Sequence, residues 1–270
     1  MKITIIGGGN MGGAIARGLT QGSLFQANDI TVVDIIEAPL KTLSNFNNQI
    51  HTHLGDYSSI AFADIVLLAV KPWLILESIR NIKPYINEKQ ILASVAAGIS
   101  IKEMSDELNK EDKKDILPAI FRVVPNTAVS VCKSMTLIAS NNASAEQETL
   151  LLNIFNELGW AILIEENKIP AGTALTSCGI AYLFKYIRAA MLAGIEMGFY
   201  PQQAQDMIIK TMLGAGYLLN ETKQHPEIEI DKVTTPGGIT IKGINELEAN
   251  GFTHSILQAM RVSNLSNTED

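Results

Sequence analysis

A short apolar run, Ile3-Thr4-Ile5-Ile6, breaks directly into Gly7-Gly8-Gly9-Asn10-Met11-Gly12-Gly13 and then into Ala14-Ile15-Ala16-Arg17-Gly18-Leu19. The β-branched residues favour a strand, the glycines stop it, and the last stretch has helical spacing. Strand, tight turn and helix in that order are the context a G-x-G-x-x-G spacing needs. Gly7 allows the turn, Gly9 lets the backbone approach a pyrophosphate, and Gly12 permits close packing of helix on strand. Asn10 and Met11 complete the fingerprint at the helix N-terminus, where free N–H groups favour an anion. The competing reading is a glycine turn that merely packs.

The next strand, Ile30 to Val33, ends in Asp34, where a carboxylate meets the ribose 2′-hydroxyl of NAD and repels the 2′-phosphate of NADP. Asp34 could equally cap the following helix. Ile65 to Val70 is a continuous apolar run, the signature of a strand buried on both faces, and it runs into Lys71-Pro72-Trp73. Ligands of open α/β sheets bind at the carboxyl ends of such strands, which makes Ala69, Val70, Lys71 and Pro72 candidate contacts. Lys71 as an ordinary surface lysine is the alternative. Gln90 to Ser94 repeats the pattern and opens onto Val95-Ala96-Ala97-Gly98, whose small side chains leave room for a flat group. Ala119 to Val124 leads to Pro125-Asn126-Thr127, where Asn126 either bonds a carboxamide or serves as a turn residue. Trp160 to Ile164 is the last strand. His51 and His53 have no nearby Cys or acidic partners, so no metal site is read there.

Beyond about Glu165 the periodicity is helical, over 167–198, 201–220 and 237–265, broken at Gly198, Pro201 and Pro236. Two domains follow: a doubly wound α/β dinucleotide-binding domain over residues 1–164 and an all-helical domain over 165–270. The first long helix is crowded with small and apolar residues, Ala189 to Gly194, which points to a subunit interface. A net charge of −7 without a basic block argues against nucleic acid or an anionic membrane as partner. There is no uninterrupted apolar run of about 18 residues and no signal core, and Cys132 and Cys178 give no disulfide framework. A soluble protein of the reducing cytosol is expected.

Between the last helical segments lies Thr234-Thr235-Pro236-Gly237-Gly238-Ile239-Thr240. Pro236 fixes its own φ, the two glycines take turns closed to other residues, and the helix from Ile239 opens with free N–H groups. Such an end suits an anion, with hydroxyls of Thr235 and Thr240 at hand; a plain helix–loop–helix turn is the bland alternative.

Together these segments resemble pyrroline-5-carboxylate reductase. The opening fingerprint Gly7 to Gly12, the Ala69-Val70-Lys71-Pro72 turn, the Ser94 to Ser100 loop, Arg122 to Thr127, and Thr235-Pro236-Gly237-Gly238-Ile239-Thr240 with Glu248 to Phe252 after it occur in the family's order. The resemblance implies a Rossmann-like sheet followed by a helical dimerisation domain. It implies a homodimer whose helical domains intertwine and complete each other's active sites, in some members further assembled into rings of dimers. It implies hydride transfer from NADPH or NADH to the C=N carbon of pyrroline-5-carboxylate, giving L-proline, the last step of proline biosynthesis. The N–H groups of Gly237, Gly238 and Ile239 would then hold the substrate carboxylate, with Thr235 beside it and the Thr240 hydroxyl near the ring nitrogen. Gly7, Gly9, Asn10, Met11, Gly12, Asp34, Asp56, Ala69, Val70, Lys71, Pro72, Ala97, Gly98 and Asn126 would hold the cofactor.

This chain departs from the family at three places. The family's S-G-S-G-P-A-Y segment reads Thr176-Ser177-Cys178-Gly179-Ile180-Ala181-Tyr182, and its P-N-T-P reads Pro125-Asn126-Thr127-Ala128. Asp34 and Asp56 stand where many members carry neutral residues, which leaves NADH against NADPH open. Two other readings stay in view. One keeps the fold but reduces another cyclic imine or oxidises a 3-hydroxy acid, with Lys185 as a candidate by position. The other is a catalytically weak dinucleotide-binding sensor.

Overall fold

The chain is described by a computed structural model that covers residues 1–109 and 117–265. Contacts divide it into two compact units, one reaching Ser177 and the other starting at Cys178.

The first unit is built on eight strands: β1 (Ile3–Ile6), β2 (Ile30–Asp34), β3 (His51–Leu54), β4 (Ile65–Leu68), β5 (Ile91–Ser94), β6 (Ala119–Val124), β7 (Ser134–Asn141) and β8 (Gly159–Leu163). Their order is β3-β2-β1-β4-β5-β6-β7-β8, so the chain reverses direction across the sheet between β1 and β4, the topological switch point of this architecture. Helices α1 (Asn10–Leu19), α2 (Glu37–Phe46), α3 (Ile75–Ile82), α4 (Ile101–Asn109) and α5 (Ala145–Asn156) connect them. The continuous apolar runs are explained by cores on both faces. Ile3, Ile5, Val32, Ile65 and Leu67 join Ile15, Leu19 and Leu43 on one face. Ile6, Val33, Val66 and Leu68 join Ile75, Ile79 and Met104 on the other. Alternate residues of one strand thus serve opposite cores, and no position can be polar without cost.

β7 is antiparallel to β6, whereas all other pairings are parallel. The reason is the connection. After β6 the chain makes one tight 3₁₀ turn, Thr127–Val131, and turns back at Cys132, which is left-handed at φ 53. A parallel return needs a longer crossover.

After β8, α6 (Ile169–Thr173) runs through a π-helical turn, Ala174–Cys178, into α7 (Gly179–Glu196). By length and composition the helical stretch Glu166–Glu196 could cross a membrane: an 18-residue window within it has a mean hydropathy of 1.3. The expectation from sequence concerned an unbroken apolar run, and the average over a helix is a looser condition. Lys185 and Arg188 interrupt the apolar run without lowering its average far enough.

The second unit consists of α7, α8 (Pro201–Thr222), α9 (Pro226–Val233), α10 (Ile239–Ala249) and α11 (Phe252–Leu265). α9 occupies part of the interval between residues 220 and 237, where the periodicity predicts no helix. α7 and α8 pack closely where Gly194 meets Ala204; a Cβ at Gly194 would lie 2.9 Å from that of Ala204. Elsewhere these helices bury almost nothing: Leu183, Phe184, Leu192, Met207, Leu213 and Tyr217 are all exposed. A folded helical unit without a core of its own is half of an interface.

Candidate active site

The carboxyl ends of β1, β2, β4 and β5 enclose a cleft of about 560 Å³. Its walls include Gly7, Gly9, Asn10, Met11, Asp34, Ala69, Val70, Lys71, Pro72 and Ala97. The glycine turn is tight for specific reasons. Gly7 has φ 102, and a Cβ there would lie 2.7 Å from the Ala69 carbonyl oxygen. A Cβ on Gly12 would lie 1.9 Å from the Gly7 carbonyl oxygen, so α1 touches the turn through a bare Cα. Gly9 is different: a Cβ there meets nothing within 4 Å, because it faces open space at the uncapped start of α1. That combination suits a dinucleotide pyrophosphate, which needs free N–H groups and a backbone it can approach.

Asp34 faces the same turn. Its Oδ2 accepts from the Gly8 N–H at 2.7 Å and its Oδ1 from the Ile36 N–H at 2.9 Å. Sequence reasoning did not single out Ile35, Ile36, Pro39, Tyr57, Leu74 or Glu77, which also line the cleft. Nearness in sequence to Asp34, Asp56 and Pro72 could have flagged Ile35, Ile36, Tyr57 and Leu74, whereas Pro39 and Glu77 carried no such signal. Gly12, Asp56, Gly98 and Asn126 are not among the wall residues. Asp56 is exposed on the β3 side, accepting from the Ser58 N–H at 2.9 Å, with His53 Nδ1 at 3.9 Å.

Asn126 is buried, and its amide is already occupied. Oδ1 accepts from the Ala128 N–H at 3.0 Å, and Nδ2 donates to the Thr176 carbonyl at 3.2 Å. The turn reading of its sequence thus describes it, with one Nδ2 hydrogen left over. Its partner belongs to the π-helical turn, where the altered segment Thr176-Ser177-Cys178 lies. Ser177 Oγ is buried there without a hydrogen-bond partner. Insertions of this kind shift backbone carbonyls out of helical register and recur at functional sites.

The loop after β5 is anchored at its far end. Glu103 Oε2 accepts from the Ser100 hydroxyl at 2.6 Å and the Ser100 N–H at 2.8 Å. Glu166 Oε1 accepts from the Ile101 N–H at 2.7 Å and faces Arg122 Nη1 at 3.4 Å. The Ser100 hydroxyl, then its N–H, then the charge of Arg122 hold the Glu103 carboxyl below the usual glutamate range. A depressed folded-state value means stability that is present at neutral pH and lost as the pH falls through that value. Glu103→Ala should therefore lower the thermal midpoint by about 2–4 °C at pH 7, the worth of one cap, with the gap closing as the pH falls below the usual glutamate range. Thermal melts across that range check it.

In the second unit, Thr235-Pro236-Gly237-Gly238 forms a β-turn in which the Gly238 N–H donates to the Thr235 carbonyl at 2.9 Å, with Gly237 at φ 71. Proline followed by a positive-φ glycine is the type II pattern. The Gly238 N–H is thereby spent within the turn. This corrects the expectation that it faces a ligand, and moves the donors on to Ile239 and its successors. α10 starts there without a side-chain cap, and Thr235 and Thr240 are exposed beside it. A Cβ on Gly238 would lie 2.6 Å from Thr235 Oγ1, so the bare glycine makes room for that hydroxyl. Among the described residues no group of three or more His, Cys, Asp or Glu is placed to hold a metal, and Cys132 and Cys178 are free.

A switch-point cleft closed by a glycine turn defines the class of dinucleotide-binding oxidoreductase folds. Residues 2–98 match the model described as NADP oxidoreductase, coenzyme F420-dependent, and residues 166–269 match that described as pyrroline-5-carboxylate reductase dimerisation. The chain is 34% identical to pyrroline-5-carboxylate reductase of Aquifex aeolicus, over 96% of this chain and 94% of that one. It is 34% identical to pyrroline-5-carboxylate reductase 1 of Dictyostelium discoideum over 97% of its length, while spanning about half, 48%, of that longer protein. The solved pyrroline-5-carboxylate reductase of Coxiella burnetii superposes with a TM-score of 0.86 at 29% identity, covering 97% of this chain and 96% of that one. The chain belongs to the pyrroline-5-carboxylate reductase family.

Proposed function

We propose that this chain reduces L-1-pyrroline-5-carboxylate to L-proline with NADH or NADPH, the closing step of proline biosynthesis. The observation that carries the reading is the uncapped start of α10 beside two exposed threonine hydroxyls, in a chain of this family. The substrate is a small anion with an electrophilic C=N bond. Its carboxylate is held by the N–H groups of Ile239 and Thr240 with the Thr235 hydroxyl, while Gly237 and Gly238 shape the turn that presents them. The Thr240 hydroxyl orients the ring nitrogen. A protonated imine is already an electrophile, so the nitrogen keeps its proton when hydride adds to carbon and no strong general acid is required. The cofactor supplies the hydride when bound. Gly7, Gly9, Asn10 and Met11 would hold its pyrophosphate, Gly12 keeps the turn in place, and Asp34, Ala69, Val70, Lys71, Pro72 and Ala97 would surround the rest.

The helical domain of this proposal starts at residue 165, close to where the dimerisation match begins. A second copy covers its exposed apolar face, and the same face, not a lipid bilayer, accounts for the hydropathy of Glu166–Glu196. Rings of such dimers, a cytoplasmic location and independence from nucleic acid complete the proposal, the last in keeping with a net charge of −7. Thr240→Ala should lower kcat/KM for the imine about tenfold or more, the worth of one hydroxyl hydrogen bond at a reacting centre, with cofactor affinity retained. Steady-state kinetics with an unchanged value would remove Thr240 from this role.

A further inference from the structure

The cleft carries an asymmetry of charge at the end of β2. Asp34 is the last residue of that strand, the position that meets the adenosine ribose in this architecture. Its carboxylate is held by two backbone donors, Gly8 N–H on one oxygen and Ile36 N–H on the other. Each oxygen keeps an acceptor site, which suits the two hydroxyls of a ribose. The next two residues, Ile35 and Ile36, also line the cleft and are 70% and 59% exposed. A ribose 2′-phosphate brings close to two negative charges and needs cationic or hydroxyl donors here, and the chain offers two apolar side chains and a fixed carboxylate.

Among the described residues the cleft wall itself holds one cation, Lys71; Arg17 of α1 is not a wall residue, its Nη1 lying 3.3 Å from where a Cβ on Gly13 would be. Lys41, one turn into α2, is paired with Glu37 at 2.8 Å. Lys71 is the cation lining the cleft, but it follows β4, which lies two strands from β2 across β1, roughly 10 Å at ordinary strand spacing. On the other side Asp56 follows Gly55, whose N–H bonds the Asp34 carbonyl at 2.9 Å, so a further carboxylate stands near this rim although it does not line the cleft. Glu77 adds a second acid to the cleft wall itself.

We infer that this chain is selective for NADH, and that Asp34 with Ile35 and Ile36 is the element that excludes the 2′-phosphate of NADPH. The inference rests on the dinucleotide-dependent reduction proposed above, but binding can be read without the imine.

The test is fluorescence titration of the purified full chain with NADH and with NADPH, alongside competition by 5′-AMP and adenosine 2′,5′-bisphosphate. NADH should bind about tenfold tighter or more, and 5′-AMP should compete better than the bisphosphate, as like-charge contact demands. Asp34→Ser should narrow the ratio about tenfold, and Ile35→Arg, which leaves the Gly8 bond alone, should shift it toward NADPH. Equal or tighter binding of NADPH by the unaltered chain overturns the inference. So does Asp34→Ser weakening both cofactors alike, since Asp34 would then only brace Gly8. Selective NADH binding without imine turnover would leave this inference standing and sink the proposed reaction; no binding of either would sink both.

Discussion

Gly12→Ala should weaken dinucleotide binding by about 100-fold or more, and should lower the thermal midpoint as well. The added methyl would sit 1.9 Å from the Gly7 carbonyl oxygen and 3.0 Å from the Ala69 Cβ. Neither neighbour can yield easily, because Gly7 donates to the Val33 carbonyl at 2.7 Å and Ala69 to the Ile6 carbonyl at 2.8 Å. The start of α1 must move away from the sheet, at about 3 kcal/mol or more for overpacking against backbone. A displacement of the order of an ångström at a binding turn costs about two orders of magnitude. Gly9→Ala is the informative companion. Its methyl meets nothing within 4 Å, so the fold should be untouched while the methyl enters the space the pyrophosphate needs. Binding titrations and melts on both variants separate the two roles. Normal cofactor affinity in Gly9→Ala would place the pyrophosphate elsewhere.

The second large effect is expected on the helical face. Leu213→Glu with Tyr217→Glu should convert a dimer into monomer or aggregate and reduce proline formation by about 100-fold or more. Both side chains are exposed on α8, at 55% and 64%, in a unit whose own interior holds little beyond Gly179, Gly194 and Ala204. Burying a large apolar side chain is worth about 1.5–3 kcal/mol, and a carboxylate in its place adds an unpaired charge to an apolar contact. On a monomeric protein the same substitutions would be neutral or would aid solubility. Sedimentation or light scattering distinguishes the cases, and an unaltered assembly would move the interface off this part of α8.

Much of this molecule was legible from residue order because the central strands have no freedom. Ile65 to Leu68 face a core on each side, so every residue is apolar and the strand announces itself. The glycine turn is equally plain, since Gly7 and Gly12 answer to steric limits no other residue meets. β7 was hidden for the opposite reason. Ser134 and Thr136 are fully buried polar residues, and the strand pairs in a direction set by a turn at Cys132 that carries no glycine or proline. The π-helical turn left no residue-type signal either, because it is a matter of hydrogen-bond register. Pro-Gly-Gly does carry the type II turn pattern that closes on the Gly238 N–H, but nothing in the letters says that the Asn126 Nδ2 donates to the Thr176 carbonyl, fifty residues on. Which groups remain free is a property of the folded backbone.

The most direct test of the central claim is product analysis. Purified protein is incubated with pyrroline-5-carboxylate and either NADH or NADPH, and L-proline is measured against cofactor oxidised. The proposal predicts equimolar L-proline and oxidised cofactor, with Thr240→Ala slower by about tenfold or more. Saturable cofactor binding with no L-proline formed from either cofactor would contradict it and would make this chain a dinucleotide-binding member of the family without its reaction.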